Sequence, residues 1–294
     1  MFAVLLGHVV SNNGVLSTAA FQWHIPGFLF ITGYFGTRFR ISKVVSLLTT
    51  CYLCYWLTIP FRPLPPHVVD LILPHGGWFL PFYLVLLLMS PLLNAVVADR
   101  SSHRTICFYL SALVIVSWFP LFVSGKHAVM LYVPGMQGNG LMLMVATYLF
   151  GRIMYGRITV YGRRSVFWVG ISLFVVLNAL SVWLYGAFPL TKTYLSPLAL
   201  ASAMCGFVAF KNLRCPETLG RVICFISPSM FGVYLLHECC VRHWQYSGFA
   251  QKSPWHAIIW AVGLFVACVC IDLVRRLIMC VLSKLHESLS HSSN

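Results

Sequence analysis

Apolar stretches as long as a membrane-spanning helix recur along the whole chain, separated only by short polar breaks. A helix needs about 20 predominantly apolar residues to cross the hydrocarbon core of a bilayer. Charged residues make up only 9% of the sequence, whereas a soluble domain of this size would have about 25%. Apolar residues make up 59%. This pattern predicts an all-α integral membrane protein and excludes a soluble globular fold.

Reading the apolar stretches between polar breaks predicts about ten transmembrane helices in a single membrane-embedded domain over residues 1–294. A Pro-rich stretch at 62–66 and a Gly-rich stretch at 134–140 are predicted loops. The sequence shows no internal repeat and no separate soluble domain. The predicted spans are 1–10, 17–36, 41–60, 78–98, 105–124, 139–156, 165–188, 193–211, 222–238 and 255–278.

Lysine and arginine are distributed unequally between the two sides that alternate loops define. Fifteen of the 20 fall on one side, and cytoplasmic loops are the ones that carry such an excess. Both termini are therefore predicted to be cytoplasmic, with the protein in the cell membrane. The net charge of +14 follows from this topology. Because the charge is spread over several loops, nucleic acid is not an expected partner.

Ionisable and aromatic side chains collect at the predicted outer ends of the spans. Ionisable residues are costly in a bilayer and usually face a cavity or a partner, so their convergence predicts an outward-facing pocket. The alternative is that each lies at the interface and bonds locally, and tryptophan is common there in any case. The residues are His8, Trp23, His24, His75, Trp78, His237 and Glu238.

The cysteines do not indicate a metal site. Most of the 11 cysteines lie inside apolar stretches, where a thiol acts as a small hydrophobic group. Cys51 and Cys54 have the spacing of metal ligands, but no second half of a site lies near them in the sequence. We therefore expect no metal.

Four stretches, in this order, resemble segments of the acyltransferase-3 family, the integral-membrane O-acyltransferases that modify bacterial surface glycans. They are the opening helix with Gly7-His8, FQWHIPGFLFITGYFGTRFR at 21–40, GGWFLPFYLVLLLMSPLLN at 76–94 and SPSMFGVYLLHE at 227–238. The stretch YLFGRIMYGR at 148–157 also fits. The ordered set covers nearly the whole chain and looks most like the branch that acetylates capsular and exopolysaccharides.

The resemblance implies transfer of an acyl group, most often acetyl, to a hydroxyl of an exopolysaccharide, capsule or other surface glycan. It gives His8 the role of the base that removes the hydroxyl proton, a common role of histidine. Covalent transfer through an acyl-histidine stays open, as does a purely structural role. Glu238 and His237 are candidates to orient that base or to contact substrate. Acceptor-binding candidates are Trp23, His24, His75 and Trp78.

On the cytoplasmic side the resemblance implies acetyl-CoA as the acyl donor, whose phosphates need cations. Arg38, Arg40 and Lys43 form a short basic cluster between the second and third predicted spans, and arginine suits bidentate phosphate contacts. Their spacing departs from the commoner double-arginine form of the family. The alternative is that these charges only set the topology.

The family pattern also bears on the first span, which is about half the length of a full one. It places a basic residue about three helical turns before the first-span histidine, and counting back from His8 passes Met1. We therefore expect the first helix to be incomplete at its N-terminus. The alternative is a degenerate, inactive homologue.

Two other classes of function remain as alternatives. The first is a glycan flippase or polymerase-type transporter, although no paired repeats with broken helices are found and most basic residues lie in the predicted cytoplasmic loops rather than within the spans. The second is an inactive homologue that acts as a scaffold among polysaccharide-synthesis proteins. The expected partners are the lipid bilayer and a surface glycan or lipid-linked oligosaccharide.

Overall fold

The computed structural model describes residues 22–58, 79–118, 140–158, 164–188, 196–244 and 253–292, together with Leu6, Val9 and Tyr194. The described residues form α-helices and short 3-10 turns, and no strand occurs among them. The helices are α1 His24–Phe35, α2 Ile41–Thr58, α3 Phe79–Ala98, α4 His103–Trp118, α5 Leu141–Met154, α6 Arg164–Ala187, α7 Pro197–Lys211, α8 Glu217–Ile226, α9 Met230–Trp244 and α10 Pro254–Ser292.

The helices lie where the apolar stretches predicted spans. Each predicted span from 17–36 onwards overlaps at least one helix, and the span 1–10 lies outside the described residues except for Leu6 and Val9. Four described segments are long and apolar enough to cross a bilayer: Phe79–Ala98, Arg164–Ala187, Glu217–His237 and Trp255–Val281. The chain is a multi-pass membrane protein, while the count of ten spans and the sides of the termini stay predictions.

Local sequence accounts for how α7 begins and how α3 accommodates a proline. Ser196 caps α7 through a hydrogen bond from the Leu198 backbone amide at 3.2 Å, and Pro197 takes the first helical position, where a missing amide proton costs nothing. Pro91 lies inside α3 and cannot donate to the Leu87 carbonyl. The hydroxyl of Ser90 donates to that carbonyl instead, at 2.7 Å. The Ser90 hydroxyl therefore gives the Leu87 carbonyl the hydrogen bond that Pro91 cannot make.

The chain divides into two compact units. The large unit contains residues 11–47 and 76–214, and in it α1 packs against α5 and α7, α3 against α5, and α6 against α7. The C-terminal unit contains residues 1–10, 48–75 and 215–294, and in it α9 packs against α10. The single-domain assignment for residues 1–294 stays a prediction.

The C-terminal helix is longer than its predicted span. Helix α10 continues from the expected end at 278 to Ser292, because the charges that end the apolar stretch do not end a helix. The membrane-compatible part is Trp255–Val281, so the last three turns extend beyond it.

Candidate functional site

The backbones of helices α1 and α5 come into direct contact where a glycine of each helix faces the other helix. A Cβ atom at Gly33 would overlap the Tyr148 carbonyl, and one at Gly151 would overlap the Phe30 carbonyl. Because glycine has no side chain, the two backbones can approach this closely. The contact fixes the ends of both helices relative to one another.

Helix α1 ends at Gly36, which is in the left-handed region at φ 72° and whose amide donates to the Gly33 carbonyl at 3.0 Å. This conformation is one that glycine adopts without strain. The guanidinium group of Arg152 lies against Gly36, so a Cβ there would be 3.1 Å from Nη1. The chain then runs through residues 36–40 to the start of α2, and this segment carries Arg38 and Arg40.

Three side chains from α3 and α5 meet the backbone of Thr37 in a set of residues that we call the Thr37 cluster: Thr37, Asn94, Tyr148 and Arg152. The Tyr148 hydroxyl donates to Asn94 Oδ1 at 2.8 Å and accepts the Thr37 backbone amide at 3.2 Å. Asn94 Nδ2 donates to the Thr37 carbonyl at 3.0 Å, and Arg152 Nε donates to Asn94 Oδ1 at 3.1 Å. Thr37 and Tyr148 are buried. The cluster ties the 36–40 segment to α3 and α5.

The three predicted donor-binding cations lie around this cluster. Lys43 Nζ donates to the Thr37 hydroxyl at 2.7 Å, and Arg38 and Arg40 are exposed on the segment between. Among the described residues, none of the three has a carboxylate partner. The structure therefore brings them together as exposed positive charge on a fixed backbone.

Further cations lie at the same ends of the helices of the large unit. The Lys211 ammonium, at the end of α7, donates to the Tyr34 hydroxyl and to the Ile158 carbonyl. Arg157 Nη2 donates to His103 Nδ1 at 2.8 Å, and His103 Nε2 donates to the Val97 carbonyl at 2.8 Å. These bonds assign the Nε2–H tautomer to His103.

Sequence reasoning missed the cluster around Thr37, although its members lay in stretches that carried the family resemblance. Asn94 ends the Ser-Pro-Leu-Leu-Asn stretch, and Tyr148 and Arg152 belong to YLFGRIMYGR. The available signal was an amide, Asn94, near the end of one apolar span and an arginine, Arg152, near the end of another, both on the predicted cytoplasmic side. Without the packing of the helices, nothing in the sequence indicated that the two ends meet.

The predicted acceptor-binding residues Trp23 and His24 lie at the other end of α1, about 17 Å from its C-terminus at 1.5 Å per residue. His24 is buried, and its ring meets the Tyr194 ring edge-on at a centroid distance of 5.6 Å. Trp23 meets Phe174 edge-on at 5.0 Å. Trp23 is only half-buried, so part of this residue is accessible.

His237 is a buried residue of α9 in the C-terminal unit. Its Nδ1 bonds the Val233 carbonyl at 3.1 Å, and since a carbonyl only accepts, Nδ1 carries the hydrogen. In the neutral ring Nε2 then holds the lone pair that a proton acceptor needs. His8, His75, Trp78 and the side chain of Glu238 lie outside the described residues, so their assignments stay predictions.

An acidic residue that sequence reasoning passed over is buried between α9 and α10. Asp272 is fully buried, and its Oδ1 accepts a hydrogen bond from Arg275 Nε at 2.7 Å. Arg275 Nη1 also donates to the Thr50 hydroxyl at 3.3 Å. The sequence did contain a signal for it. Asp272 is one of only six acidic residues in the chain, and it lies inside an apolar stretch three residues before Arg275.

An apolar cavity of about 260 Å³ lies within the large unit, among α1, α4, α5 and α7. Thr147 lines it, and its buried hydroxyl has no hydrogen-bond partner among the described residues. In the part of the chain that the structure describes, no three histidine, cysteine or acidic residues are grouped to hold a metal ion.

Comparison with known proteins gives the family directly. The family model described as an acyltransferase domain, that of the acyltransferase-3 family, matches residues 1–274. No curated protein and no solved structure matches the chain. Since the match covers nearly the full length, this multi-pass membrane chain belongs to the acyltransferase-3 family.

Proposed function

We propose that this acyltransferase moves an acetyl group from cytoplasmic acetyl-CoA to a hydroxyl of an exopolysaccharide, capsule or other surface glycan. The observation that supports the donor is the group of Arg38, Arg40 and Lys43, which lie around Thr37 without a carboxylate partner among the described residues. Phosphates fit such a group because arginine and lysine form charge-assisted hydrogen bonds to them.

The chemistry requires one proton transfer in each direction. The acceptor hydroxyl gives its proton to the His8 imidazole as its oxygen forms a bond to the thioester carbonyl carbon. The bond between that carbon and the CoA sulfur then breaks, and the proton passes to the sulfur, which leaves as the CoA thiol. The products are an O-acetyl ester and CoA. In this scheme His8 is the general base.

The acceptor side of the site is proposed at the far end of α1 from the donor cations. The half-buried indole of Trp23 offers an apolar face of the kind that packs on a sugar ring, and the buried His24 beside it offers a polar atom to a hydroxyl. His237 belongs to the C-terminal unit, and it is proposed separately as a residue that orients the base or contacts substrate. The separation of the two ends of α1 suits a donor and an acceptor that arrive from opposite faces of a membrane.

The first test measures ester-linked acetyl on the surface glycan of a deletion strain complemented with this chain. We expect the unmodified chain to restore acetylation and His8→Ala to abolish it, with equal amounts of protein in the membrane. If upstream residues are needed to complete the first helix, an extended chain restores activity. If the extended chain also produces no ester-linked acetyl, the result would contradict the proposed enzyme activity and favour the inactive scaffold.

The second test addresses the donor in oriented membrane vesicles. Replacing Arg38 and Arg40 together with glutamine should raise the apparent KM for acetyl-CoA about tenfold or more, because each charge-assisted bond contributes roughly 1.5–3 kcal/mol. Arg221→Gln is the matched control, since that cation already pairs with Glu217 at 2.8 Å. An equal KM in both variants would show that Arg38 and Arg40 serve only the topology.

A further inference from the structure

Two segments that carried the family resemblance have no role in the chemistry above, and the structure joins them at the donor side. Asn94 comes from the end of α3, and Arg152 comes from the last turn of α5. Both contact the segment that carries Arg38 and Arg40, through the Thr37 carbonyl and the Gly36 backbone. The arrangement adds a fourth cation to the three that sequence reasoning identified.

We propose that Arg152 is a further phosphate ligand of the donor site and that Asn94 is its positioning residue. This inference rests on the proposed function, because it assumes that the acyl donor is a thioester that carries phosphates. It names two residues that neither the family match nor the sequence pattern assigns to the donor.

The guanidinium of Arg152 is held at Nε, and its terminal nitrogens donate no hydrogen bond to another described residue. Nε donates to Asn94 Oδ1 at 3.1 Å, and the plane lies along Gly36 and over the Tyr155 ring at 5.3 Å. Among the described residues, Arg152 has no carboxylate partner. A guanidinium presents five N–H groups in a rigid fork, so fixing Nε leaves the terminal nitrogens preoriented for an anion.

The charge around Thr37 strengthens the case for an anionic ligand. Lys43 bonds the Thr37 hydroxyl and Arg152 bonds Asn94, which in turn bonds the Thr37 carbonyl. Two cations from different helices are thereby held at Thr37, one directly and one through Asn94, and Arg38 and Arg40 follow Thr37 in the same segment. Like charges held together without an acid repel one another, and a ligand with several phosphates offsets that repulsion.

Asn94 is suited to this positioning because an amide both accepts and donates. Its Oδ1 accepts from Tyr148 and Arg152, while its Nδ2 donates to Thr37. An aspartate could accept the first two bonds but could not make the third, and an alanine would make none. The loss of Asn94 should therefore release Arg152 and the 36–40 segment together.

The test measures equilibrium binding of CoA to the detergent-purified full chain, in parallel with acyl transfer. We expect Arg152→Gln to raise the Kd for CoA about tenfold, and Asn94→Ala to raise it several-fold. Because Asn94 acts through Arg152, the double variant should bind about as weakly as Arg152→Gln alone. Should Asn94→Ala not fold, Tyr148→Phe removes one bond to Asn94 and keeps the ring.

A second donor separates phosphate binding from a structural role. Acetyl-pantetheine is a thioester without the nucleotide phosphates, so Arg152→Gln should leave its kcat/KM within about twofold of the unmodified protein. Asn178→Ala is the matched structural control, because Asn178 Nδ2 joins α6 to α7 through Ser202 Oγ at 2.6 Å and touches no cation. That variant should leave the Kd for CoA unchanged.

The outcomes distinguish this inference from the proposed function. Equal losses with acetyl-CoA and acetyl-pantetheine, or an unchanged Kd for CoA in Arg152→Gln, would overturn the assignment of Arg152 as a phosphate ligand. A Kd that rises further in the double variant than in either single one would overturn the positioning role of Asn94. An unmodified protein that binds CoA without transferring acetyl would instead contradict the proposed function.

Discussion

The carboxylate of Asp272 occupies the space that a side chain at Gly232 would need. A Cβ at Gly232 would overlap Oδ1 of Asp272, and that oxygen is held by Arg275. Neither partner can move aside easily, because Asp272 is fully buried between α9 and α10. The glycine and the buried acid therefore depend on each other.

Replacing Gly232 with alanine should destabilise the protein by about 1–3 kcal/mol, the usual cost of an added methyl group in a packed interior. Thermal unfolding in detergent measures the effect. Gly263→Ala is the matched control, because a Cβ at Gly263 on α10 meets nothing within 4 Å, and alanine there should be neutral or slightly stabilising. Equal stability of the two variants would contradict the packing of Asp272 on α9.

The Asp272–Arg275 pair should behave as a buried ion pair. Removing one partner leaves a buried charge uncompensated, so Asp272→Asn and Arg275→Gln should each destabilise the chain by about 3–5 kcal/mol, and the double variant should recover part of that loss. A double-mutant cycle of unfolding free energies measures the coupling between the two residues. The exposed pair Arg221–Glu217 is the control, with an expected coupling below about 1 kcal/mol. Comparable coupling in both pairs would be inconsistent with the burial of Asp272.

The positions of the helices follow from the sequence because apolar length is a local property. The chain from 79 to 98 is apolar enough to require a helix whatever surrounds it, and α3 occupies that range. The end of α10 could not be read in the same way, since hydropathy falls at Arg275 and Arg276 while helical backbone bonding continues to Ser292.

The candidate site was only partly predictable, for a different reason. The basic residues Arg38, Arg40 and Lys43 lie within six positions of one another, so the sequence by itself predicts that they are close together. Asn94 and Arg152 lie 58 residues apart, and their meeting depends on which faces of α3 and α5 pack together. The face that α5 presents to α3 depends in turn on how α5 packs on α1, where Gly151 meets the Phe30 carbonyl, and a single sequence does not show which glycines face a neighbouring helix.

The turn between α3 and α4 should contribute a small pH dependence. Hydrogen bonds from Ser101 and then Ser102 hold the pKa of Asp99 below its usual range. Because the folded pKa is depressed, the stabilisation is present above the unfolded pKa of about 3.9 and is lost as the pH falls through the folded value. The difference in melting temperature between the unmodified chain and Asp99→Ala should therefore shrink below about pH 4. A difference that stays constant with pH would contradict this role of the carboxylate.

The hydroxyl of Thr147, at the wall of the apolar cavity, should slightly lower the free energy of unfolding. It is buried and has no hydrogen-bond partner among the described residues, and burying an unpaired hydroxyl costs roughly 1–3 kcal/mol. Thr147→Val keeps the shape and removes that cost, so it should raise the free energy of unfolding by about 1 kcal/mol. Ser202→Ala is the matched contrast, since Ser202 Oγ accepts a hydrogen bond from Asn178 at 2.6 Å, and its loss should lower the free energy of unfolding by a similar amount. A destabilising effect of Thr147→Val would contradict this prediction, because it would show that the hydroxyl makes a favourable hydrogen bond in the folded protein.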